Sequence, residues 1–502
     1  MQELLSNLSL GFGVALAGVN ILYCFIGVLL GTLIGVLPGI GPVATIAMLL
    51  PATFVLPPVS ALIMLAGIYY GAQYGGSTTA ILVNLPGEVS SVVTCLDGYQ
   101  MARQGHAGKA LAVAALGSFF AGSVATLLIA GFAPPLAELA LKFGPADYFS
   151  LMVLGLIAAV VLAHGSLVKA IAMITLGLLI GLIGTDVNSG VARYSFGMPE
   201  LIDGVGIGPI AMGVFGFGEI IRNLDAGGAH REIFTKRVTG LMPNWNDIKQ
   251  CIGPVIRGTA LGSFLGILPG GGPVLGSFSA YTLEKKLAKD PSRFGKGAIE
   301  GVAAPESANN AAAQTSFIPL LTLGIPSNPV MALMIGAMII HGIQPGPQII
   351  TAKPDLFWGM IASMWVGNVM LVVLNLPLIG MWVKLLTLPY RFLYPAILIF
   401  CCIGVYSISN AWMDVLLAAL FGFIGYVFVK FECEPAPLLL GFVLGPMMEE
   451  NLRRALLLSR GDPAVFVTRP ISLTLLVLSA ALVLIVLAPN IRKKREEAFQ
   501  EE

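Results

Sequence analysis

The sequence carries little charge. Only 11% of its 502 residues are Asp, Glu, Lys or Arg, whereas soluble globular proteins contain about 25%. The formal net charge is +1, so the charge balance gives no basis for binding nucleic acid. Polar stretches are at most about thirty residues long, which is shorter than a soluble domain. The low charge and the short polar stretches exclude an ordinary soluble enzyme and predict one membrane-embedded domain.

Residues and motifs for catalysis or metal binding are also scarce. There are four histidines, and the six cysteines have no paired spacing, which argues against a disulfide framework or a zinc site. The sequence contains no GxxxxGKS/T, HExxH or GxSxG string, so the patterns of P-loop ATP hydrolysis, zinc proteases and serine hydrolases are missing. We therefore predict a protein that is not an enzyme and that holds no cofactor or structural metal.

Long apolar runs are abundant, since 56% of the residues are hydrophobic. Runs of about 20 such residues are long enough to cross a bilayer as helices. We predict an all-α polytopic membrane protein with about ten to twelve helical elements. The simple candidate spans are 19–37, 110–132, 148–163, 168–184, 207–221, 356–388, 393–407, 412–430 and 470–488. Two other apolar regions, 31–94 and 262–340, are repeatedly interrupted by glycine and proline.

Basic residues predict the orientation, because cytoplasmic loops of membrane proteins are enriched in lysine and arginine. The basic segments 222–249 and 284–297 and the C-terminal tail are expected on the cytoplasmic side. Arg453, Arg454 and Arg460, which follow the short apolar run 436–447, do not fit this scheme. The N-terminus lacks the positive charge that begins a signal peptide, so insertion is expected to rely on the spans themselves. The expected divisions are two halves, 1–221 and 251–490, a cytoplasmic linker, 222–250, and a cytoplasmic tail, 491–502.

An internal repeat relates the two halves. Residues 31–43 read GTLIGVLPGIGPV and residues 262–274 read GSFLGILPGGGPV, with eight of thirteen positions identical. A second interrupted segment follows each copy, YGGSTTAILVNLPGE at 74–88 and PESANNAAAQTSFIPLLTLGIPSN at 305–328. Equivalent loops differ in charge, because 54–58 is uncharged and 284–297 is strongly basic. We therefore predict two inverted repeats, each with a re-entrant hairpin and a broken helix.

A helix that breaks inside a membrane leaves backbone groups unpaired, and this is tolerated only beside protein or a polar cavity. Half-helix N-termini suit anions, and half-helix C-termini and free carbonyls suit cations. Hydroxyls and amides beside such breaks can bind a carboxylate or ligate sodium, and a buried carboxylate in a membrane is by default a functional candidate. The candidate substrate- and ion-binding residues are Pro38, Gly39, Gly41, Pro42, Gly75, Gly76, Ser77, Thr78, Thr79, Asn84, Pro269, Gly270, Gly271, Gly272, Pro273, Glu306, Ser307, Asn309, Asn310, Ser327 and Asn328.

Each group of candidates also has a purely structural explanation. The glycines can serve close helix packing, and the hydroxyls can bond the carbonyl four residues earlier in their own helix. The Glu306 to Asn310 cluster can be an interhelical hydrogen-bond clamp. Tyr69, Tyr70 and Tyr74 suit either a vestibule or an interfacial anchor.

These motifs together resemble the large membrane subunit of the tripartite tricarboxylate transporter family. The resemblance covers nearly the whole chain. It is carried by GVLPGIGPV, YGGSTTAILVNLPGE followed by LDGYQMARQG, FGPADYFSLMVLGL, FGKGAIEGVAAPESANNAAAQTSFIPLLTLGIPS and LGFVLGPMMEENLRRAL. The repeated string reads GGGP at 270–273 where the first half has GIGP.

The resemblance implies a secondary importer of carboxylates in the bacterial inner membrane, coupled to sodium ions or protons. It also implies two partners, a small four-helix membrane subunit and a periplasmic solute-binding protein, and it leaves the carboxylate open. A permease subunit of another binding-protein-dependent system and a passive channel remain alternatives. The duplicated breaks favour alternating access over a pore.

Overall fold

The structure is a computed structural model that describes residues 2–37, 41–163, 166–186, 189–225, 238, 240–386 and 390–487. Residues 226–237 and 239 of the predicted linker 222–250 and all of the tail 491–502 lie outside the described residues, as do Pro38 and Gly39. The described chain is almost entirely helical, which confirms the all-α prediction. Its only sheet is a two-stranded antiparallel hairpin, β1 (Gly184–Thr185) with β2 (Ala192–Arg193), in which Gly184 pairs with Arg193.

The helices of the first half come before residue 226, so the last of them extends into the predicted linker. They are α1 (Gln2–Ala15), α2 (Gly18–Val36), α3 (Gly41–Thr53), α4 (Pro58–Val83), α5 (Val92–Arg103), α6 (Ala107–Ala140), α7 (Pro145–Leu162), α8 (Leu167–Gly181), α9 (Ile207–Ala211) and α10 (Gly218–Asp225). A π-helical segment, Met212–Phe217, joins α9 to α10. Single turns of 3-10 helix lie at Val89–Ser91 and Pro199–Leu201.

The helices of the second half follow in a related order. They are α11 (Trp245–Ile267), α12 (Gly272–Leu287), α13 (Glu300–Thr315), α14 (Phe317–Leu323), α15 (Pro329–Ile340), α16 (Ile349–Ala352), α17 (Pro354–Asn375), α18 (Ile379–Leu385), α19 (Tyr390–Ser409), α20 (Trp412–Lys430), α21 (Ala436–Leu458), α22 (Val465–Thr468) and α23 (Pro470–Leu487). A 3-10 turn, Pro291–Arg293, precedes α13.

Five described helices are long and apolar enough to cross a membrane: α2, α6, α7, α17 and α20. Several predicted spans have different ends in the structure. The run 356–388 divides into α17 and α18 at residues 376–378, and the short run 436–447 is the first half of the 23-residue helix α21. The bounds of an apolar run are therefore a poor guide to the bounds of its helix, because proline and glycine end helices inside apolar sequence.

Charged residues at the end of α21 are held by ion pairs with the β-hairpin. Arg453 lies 3.0 Å from Asp186 and 2.6 Å from Glu449, and Arg193 of β2 lies 2.8 Å from the same Glu449. Arg453 and Arg454, two of the three arginines that do not fit the sequence-based orientation, therefore lie in a helix end that contacts the connection between α8 and α9. Their charges are balanced locally, since Arg454 lies 2.5 Å from Glu450.

The two halves repeat the same helix packing. Helix α2 runs beside α4, and α11 runs beside α13. In each pair, three glycines of the first helix, spaced four residues apart, lie against the backbone of the second helix. A Cβ atom at any of these six glycines would lie 2.2–2.4 Å from a carbonyl oxygen. The contacts join Gly27 to Met64, Gly31 to Ile68 and Gly35 to Ala72 in the first half, and Gly258 to Ala304, Gly262 to Ala308 and Gly266 to Ala312 in the second.

The chain reverses between the two helices of each pair. Ser60, near the start of α4, donates a hydrogen bond to Asn20 near the start of α2. In the second half Gln250, near the start of α11, donates to Glu300 at the start of α13. In each half the chain therefore runs to the end of the first helix of the pair and returns through α3 or α12. It then follows the original direction again in the second helix of the pair. In the second half the turn between the first helix and α12 is the LPGGGP string at 268–273; in the first half, residues 38–40 of the equivalent string lie outside the described residues.

Candidate functional site

The first break ends α4 and turns the chain into α5. Asn84 adopts a left-handed conformation with φ 56° and ends the helix, and the sequence LPGE follows. Gly87 passes so close to α2 that a Cβ atom would lie 1.9 Å from the carbonyl oxygen of Gly35, and Gly76 likewise leaves room for the side chain of Glu88. The break therefore requires glycine in both of the chain segments that meet there, at Gly76 in α4 and at Gly87 after it. The side chain of Glu88 turns inward at this break.

Glu88 takes part in a polar cluster that spans both halves. The Asn309 amide of α13 donates to its carboxylate at 3.3 Å, and the Ser90 hydroxyl donates to the same carboxylate. Ser90 also lies 2.8 Å from the amide oxygen of Asn309 and 3.0 Å from the amide of Gln73. The Glu88 carboxylate is thus held by a neutral amide of α13 and a hydroxyl of the 3-10 turn Val89–Ser91.

Glu306 is a second carboxylate in the same region. Its side chain is completely buried in α13, where Ser77 of α4 and Thr94 of α5 each donate a hydrogen bond to one of its oxygens. Among the described side chains no lysine or arginine is buried. A negative charge on Glu306 would therefore be stabilised by hydroxyl dipoles, and a bound cation would add to that stabilisation.

The second break lies between α14 and α15. Gly324 ends α14 with φ 70°, and the carbonyl of Ser327 accepts a 2.8 Å hydrogen bond from the backbone N–H of Gly270. Asn328 caps α15 by accepting from the N–H of Met331 and donates to Ser316 at 3.0 Å. The broken helix of the second half and the LPGGGP turn therefore meet directly.

The two breaks make equivalent contacts with the opposite half. Residues of α4 correspond to residues 240 positions later in α13 and α14, so Glu88 corresponds to Asn328 and Tyr69 to Asn309. Asn328 donates to the hydroxyl of Tyr69 at 3.2 Å, just as Asn309 donates to Glu88. In both pairs the end of one broken helix touches the first half of the other. These contacts place α4 antiparallel to α13 and α14.

The turns of the two reversals differ in how much the structure describes. In the second turn Gly270 and Gly272 have φ +77° and +57°, and a Cβ at Gly271 would lie 2.3 Å from the carbonyl of Leu265. Pro269 is half-buried there and packs beside Gly155, while Pro273 is buried at the start of α12. In the first turn, Gly41 has φ +62° and Pro42 is buried at the start of α3.

The remaining predicted residues divide between interhelical and local contacts. Thr79 donates to the carbonyl of Val36 at 2.8 Å and so joins α4 to the end of α2. Thr78 and Ser307 bond the carbonyl four residues earlier in their own helices, as the structural explanation anticipated. Asn84 is exposed, and its side chain does not join the buried cluster.

Two further predicted residues lie in the buried interior. Gly75 lets α4 approach α2, since a Cβ would lie 2.3 Å from the carbonyl of Thr32. Asn310 is fully buried and donates to the hydroxyl of Ser118 in α6 at 2.7 Å. Tyr69, Tyr70 and Tyr74 are all buried inside the helix bundle, which does not suit an interfacial anchor, and the vestibule interpretation stays a prediction.

Sequence reasoning missed several members of this cluster. Glu88 was read only as the end of a motif, and Gln73, Ser90 and Thr94 were not considered. The alignment of NLPGE (84–88) with GIPSN (324–328) contained a signal for Glu88, because it puts Glu88 opposite the candidate Asn328. The other three lack such a signal.

Within the described residues no group of three or more His, Cys, Asp or Glu side chains could hold a metal ion.

Comparison with known proteins gives one family. Residues 21–440 match the sequence model of the Tripartite tricarboxylate transporter TctA family. A relative in Agrobacterium vitis, described as an uncharacterized 52.8 kDa protein in the TAR-I ttuC' 3'region, is 63% identical over 502 residues and covers the whole of both chains. A second, an uncharacterized protein in the TAR-II ttuC' 3'region of the same organism, is 64% identical over 241 residues, 48% of this chain and all of the relative. No solved structure matches the chain.

Proposed function

The chain belongs to the Tripartite tricarboxylate transporter TctA family, and on that premise we propose that it is the membrane permease subunit of a secondary transporter that imports tri- or dicarboxylates by cation symport. The observation that carries the proposal is the meeting of two broken helices in the buried interior, where Glu88 contacts Asn309 and Asn328 contacts Tyr69. Paired breaks of this kind in two related halves are typical of secondary transporters.

The geometry also supports the proposed alternating access. The two breaks lie on antiparallel helices, which is the relation expected of inverted repeats, and in each half the chain reverses between two paired helices, as a re-entrant hairpin requires. Rocking of one repeat against the other would expose such a central site to each side in turn. In this proposal the chain lies in the bacterial inner membrane with its C-terminus in the cytoplasm.

We further propose the two partners that the family name implies, a small four-helix membrane subunit and a periplasmic solute-binding protein. No lysine or arginine is buried among the described side chains. An anionic substrate would therefore be held by amides, hydroxyls and helix N-termini, and a co-bound cation would offset its charge.

Uphill transport tests this function. Proteoliposomes containing the chain and both partners should accumulate a radiolabelled tricarboxylate or dicarboxylate above the outside concentration when a sodium or proton gradient points inward, without ATP. Equilibration without accumulation would identify a channel. A requirement for ATP at a fixed ion gradient would identify a permease of another type, and indifference to every carboxylate would reject the substrate class.

Site variants connect the function to the cluster. Asn310→Ala should reduce uptake to background while membrane insertion is retained. Valine at positions 270–272 should also abolish uptake, and it should lower stability as well, because a Cβ at Gly271 would lie 2.3 Å from the carbonyl oxygen of Leu265. Asp290→Asn, at the exposed N-cap of the 3-10 turn Pro291–Arg293, is the control and should transport as the wild type does. Wild-type rates in both site variants would contradict the assignment of the site.

A further inference from the structure

A small enclosed cavity lies between α4, α6 and α17, beside the cluster around Glu306. Its polar lining consists of Tyr74, Ser77, Thr78, Ser118 and Asn375. About 10 Å³ is open to the centre of a water-sized sphere, which is the space that one water molecule or one small ion occupies. Asn375 and Ser118 come from helices that the sequence analysis did not connect to the site.

Buried oxygen atoms around this cavity have no hydrogen-bond partner among the described residues. They are the hydroxyl of Tyr74 and the amide oxygens of Asn375 and Asn310, in side chains that are 3%, 3% and 0% exposed. Native proteins rarely leave buried polar atoms unpaired, so we expect each of these oxygen atoms to contact a bound water molecule or ion. Tyr74 and Asn375 both line the cavity itself.

The amide groups are oriented so that oxygen, not N–H, remains available. Asn375 donates its NH2 group to the carbonyl of Leu371 at 2.9 Å, and Asn310 donates its own to Ser118 and to the carbonyl of Glu306. Because the NH2 group of each amide already donates within the protein, the amide oxygens of Asn375 and Asn310 remain and offer lone pairs. Lone pairs attract a cation and repel an anion.

The hydroxyls beside the cavity have the same polarity. Ser77 uses its proton towards the carboxylate of Glu306, and Ser118 points its proton towards the carbonyl of the same residue at 3.4 Å. Each hydroxyl oxygen therefore keeps a lone pair. The cavity also adjoins the last residue of α17, Asn375, and helix C-termini carry partial negative charge.

We propose that this cavity is the binding site of the coupling sodium ion, with Tyr74, Ser77, Ser118 and Asn375 as oxygen ligands and the Glu306 carboxylate as the balancing charge behind Ser77. The proposal rests on the cation symport put forward above and assigns its ion. Neutral oxygens around one nearby carboxylate suit a monovalent cation, whereas sites for calcium or magnesium usually contain several carboxylates. An ion bound in this cavity would link α4 to α6 and α17. Sodium binding would therefore hold α4, the helix that ends at the first break, in a fixed position.

Direct binding of sodium tests the site without relying on transport. The purified full-length chain in nanodiscs should bind radioactive ²²Na⁺ with no carboxylate or partner present. Tyr74→Phe and Asn375→Leu each remove one oxygen with little change in volume, and each should weaken the affinity about tenfold or more, as expected for a lost contact to a charge. Tyr70→Phe is the matched control: this tyrosine is buried one turn earlier, against Gly367, and its variant should bind sodium as the wild type does.

Uptake in the complete reconstituted system separates the two proposals. We expect the sodium concentration for half-maximal uptake to rise about tenfold or more in Tyr74→Phe, with the rate recovered at saturating sodium. Carboxylate uptake that depends on protons and not on sodium would keep the proposed function and reject this site. Sodium binding without any carboxylate uptake would keep the site and reject the function. Unchanged sodium affinity in both cavity variants would show that the cavity holds only water.

Discussion

At the scale of single residues, glycine has two separate tasks in this protein. In the helices it removes the side chain where two backbones touch, as at Gly31 and Gly262, the first residues of the repeated strings. In the turns it supplies positive φ, as at Gly270 and Gly272. The two explanations weighed for the repeated glycines, packing and site geometry, therefore both apply, at different positions of one motif.

Gly262→Val should destabilise the protein. A Cβ at this position would lie 2.2 Å from the carbonyl oxygen of Ala308, so α11 and α13 would have to separate. Overpacking of this kind costs about 1–3 kcal/mol or more, and the temperature of unfolding in detergent, followed by intrinsic fluorescence, should fall. Gly131→Val is the control, because nothing lies within 4 Å of a Cβ at that glycine of α6. Equal unfolding temperatures for the two variants would contradict the packing.

At the scale of elements, Asp97 connects the two halves at the start of α13. Its carboxylate is fully buried in α5 and accepts hydrogen bonds from the backbone N–H groups of Gly297 and Ala298, each at 2.7 Å. It also accepts from the hydroxyl of Tyr281 in α12 at 2.9 Å. One side chain of the first half therefore fixes the turn and one helix of the second half.

Asp97→Ala should cost more stability than Tyr281→Phe. The alanine leaves three donors without their acceptor, and each unsatisfied buried donor costs about 1–3 kcal/mol. The phenylalanine removes one donor together with its bond, which costs about 1 kcal/mol. Thermal unfolding of both variants in detergent measures the difference. If Asp97→Ala does not fold, a wild-type unfolding temperature for Tyr281→Phe would still argue against this connection.

At the scale of the whole molecule, the two halves are arranged around antiparallel central helices. Tyr69 lies in the first half of α4 and touches Asn328 after the end of α14, while Glu88 follows the end of α4 and touches Asn309 in α13. The same relation holds for Ser77 and Glu306. Two related halves in opposite directions are the basis of the proposed transport cycle.

The proposed inversion predicts that equivalent loops lie on opposite sides of the membrane. Val55, 85% exposed between α3 and α4, and Ser292, exposed between α12 and α13, occupy such loops. In a background with the six native cysteines replaced, a membrane-impermeant maleimide should label Val55→Cys from the periplasmic side. It should label Ser292→Cys only from the cytoplasmic side, because that loop is basic. Labelling of both from one side would contradict the inversion.

The sequence by itself determined the helical class, the repeat and the two breaks. Apolar length, glycine and proline are local properties, so the strings around Pro86 and Pro326 and the buried polar residues near Glu306 could be recognised without coordinates. The family followed from the same motifs, and the match over residues 21–440 confirmed it.

Only the tertiary structure decided which side chains meet. Glu306 and Ser77 are 229 residues apart in sequence, and Asn309 and Glu88 are 221 apart. No local pattern encodes such pairs, because the packing of α4 against α13 selects them. The same holds for the cavity: Asn375 ends an ordinary apolar helix, and only the fold brings its free oxygen beside Tyr74 and the charge of Glu306.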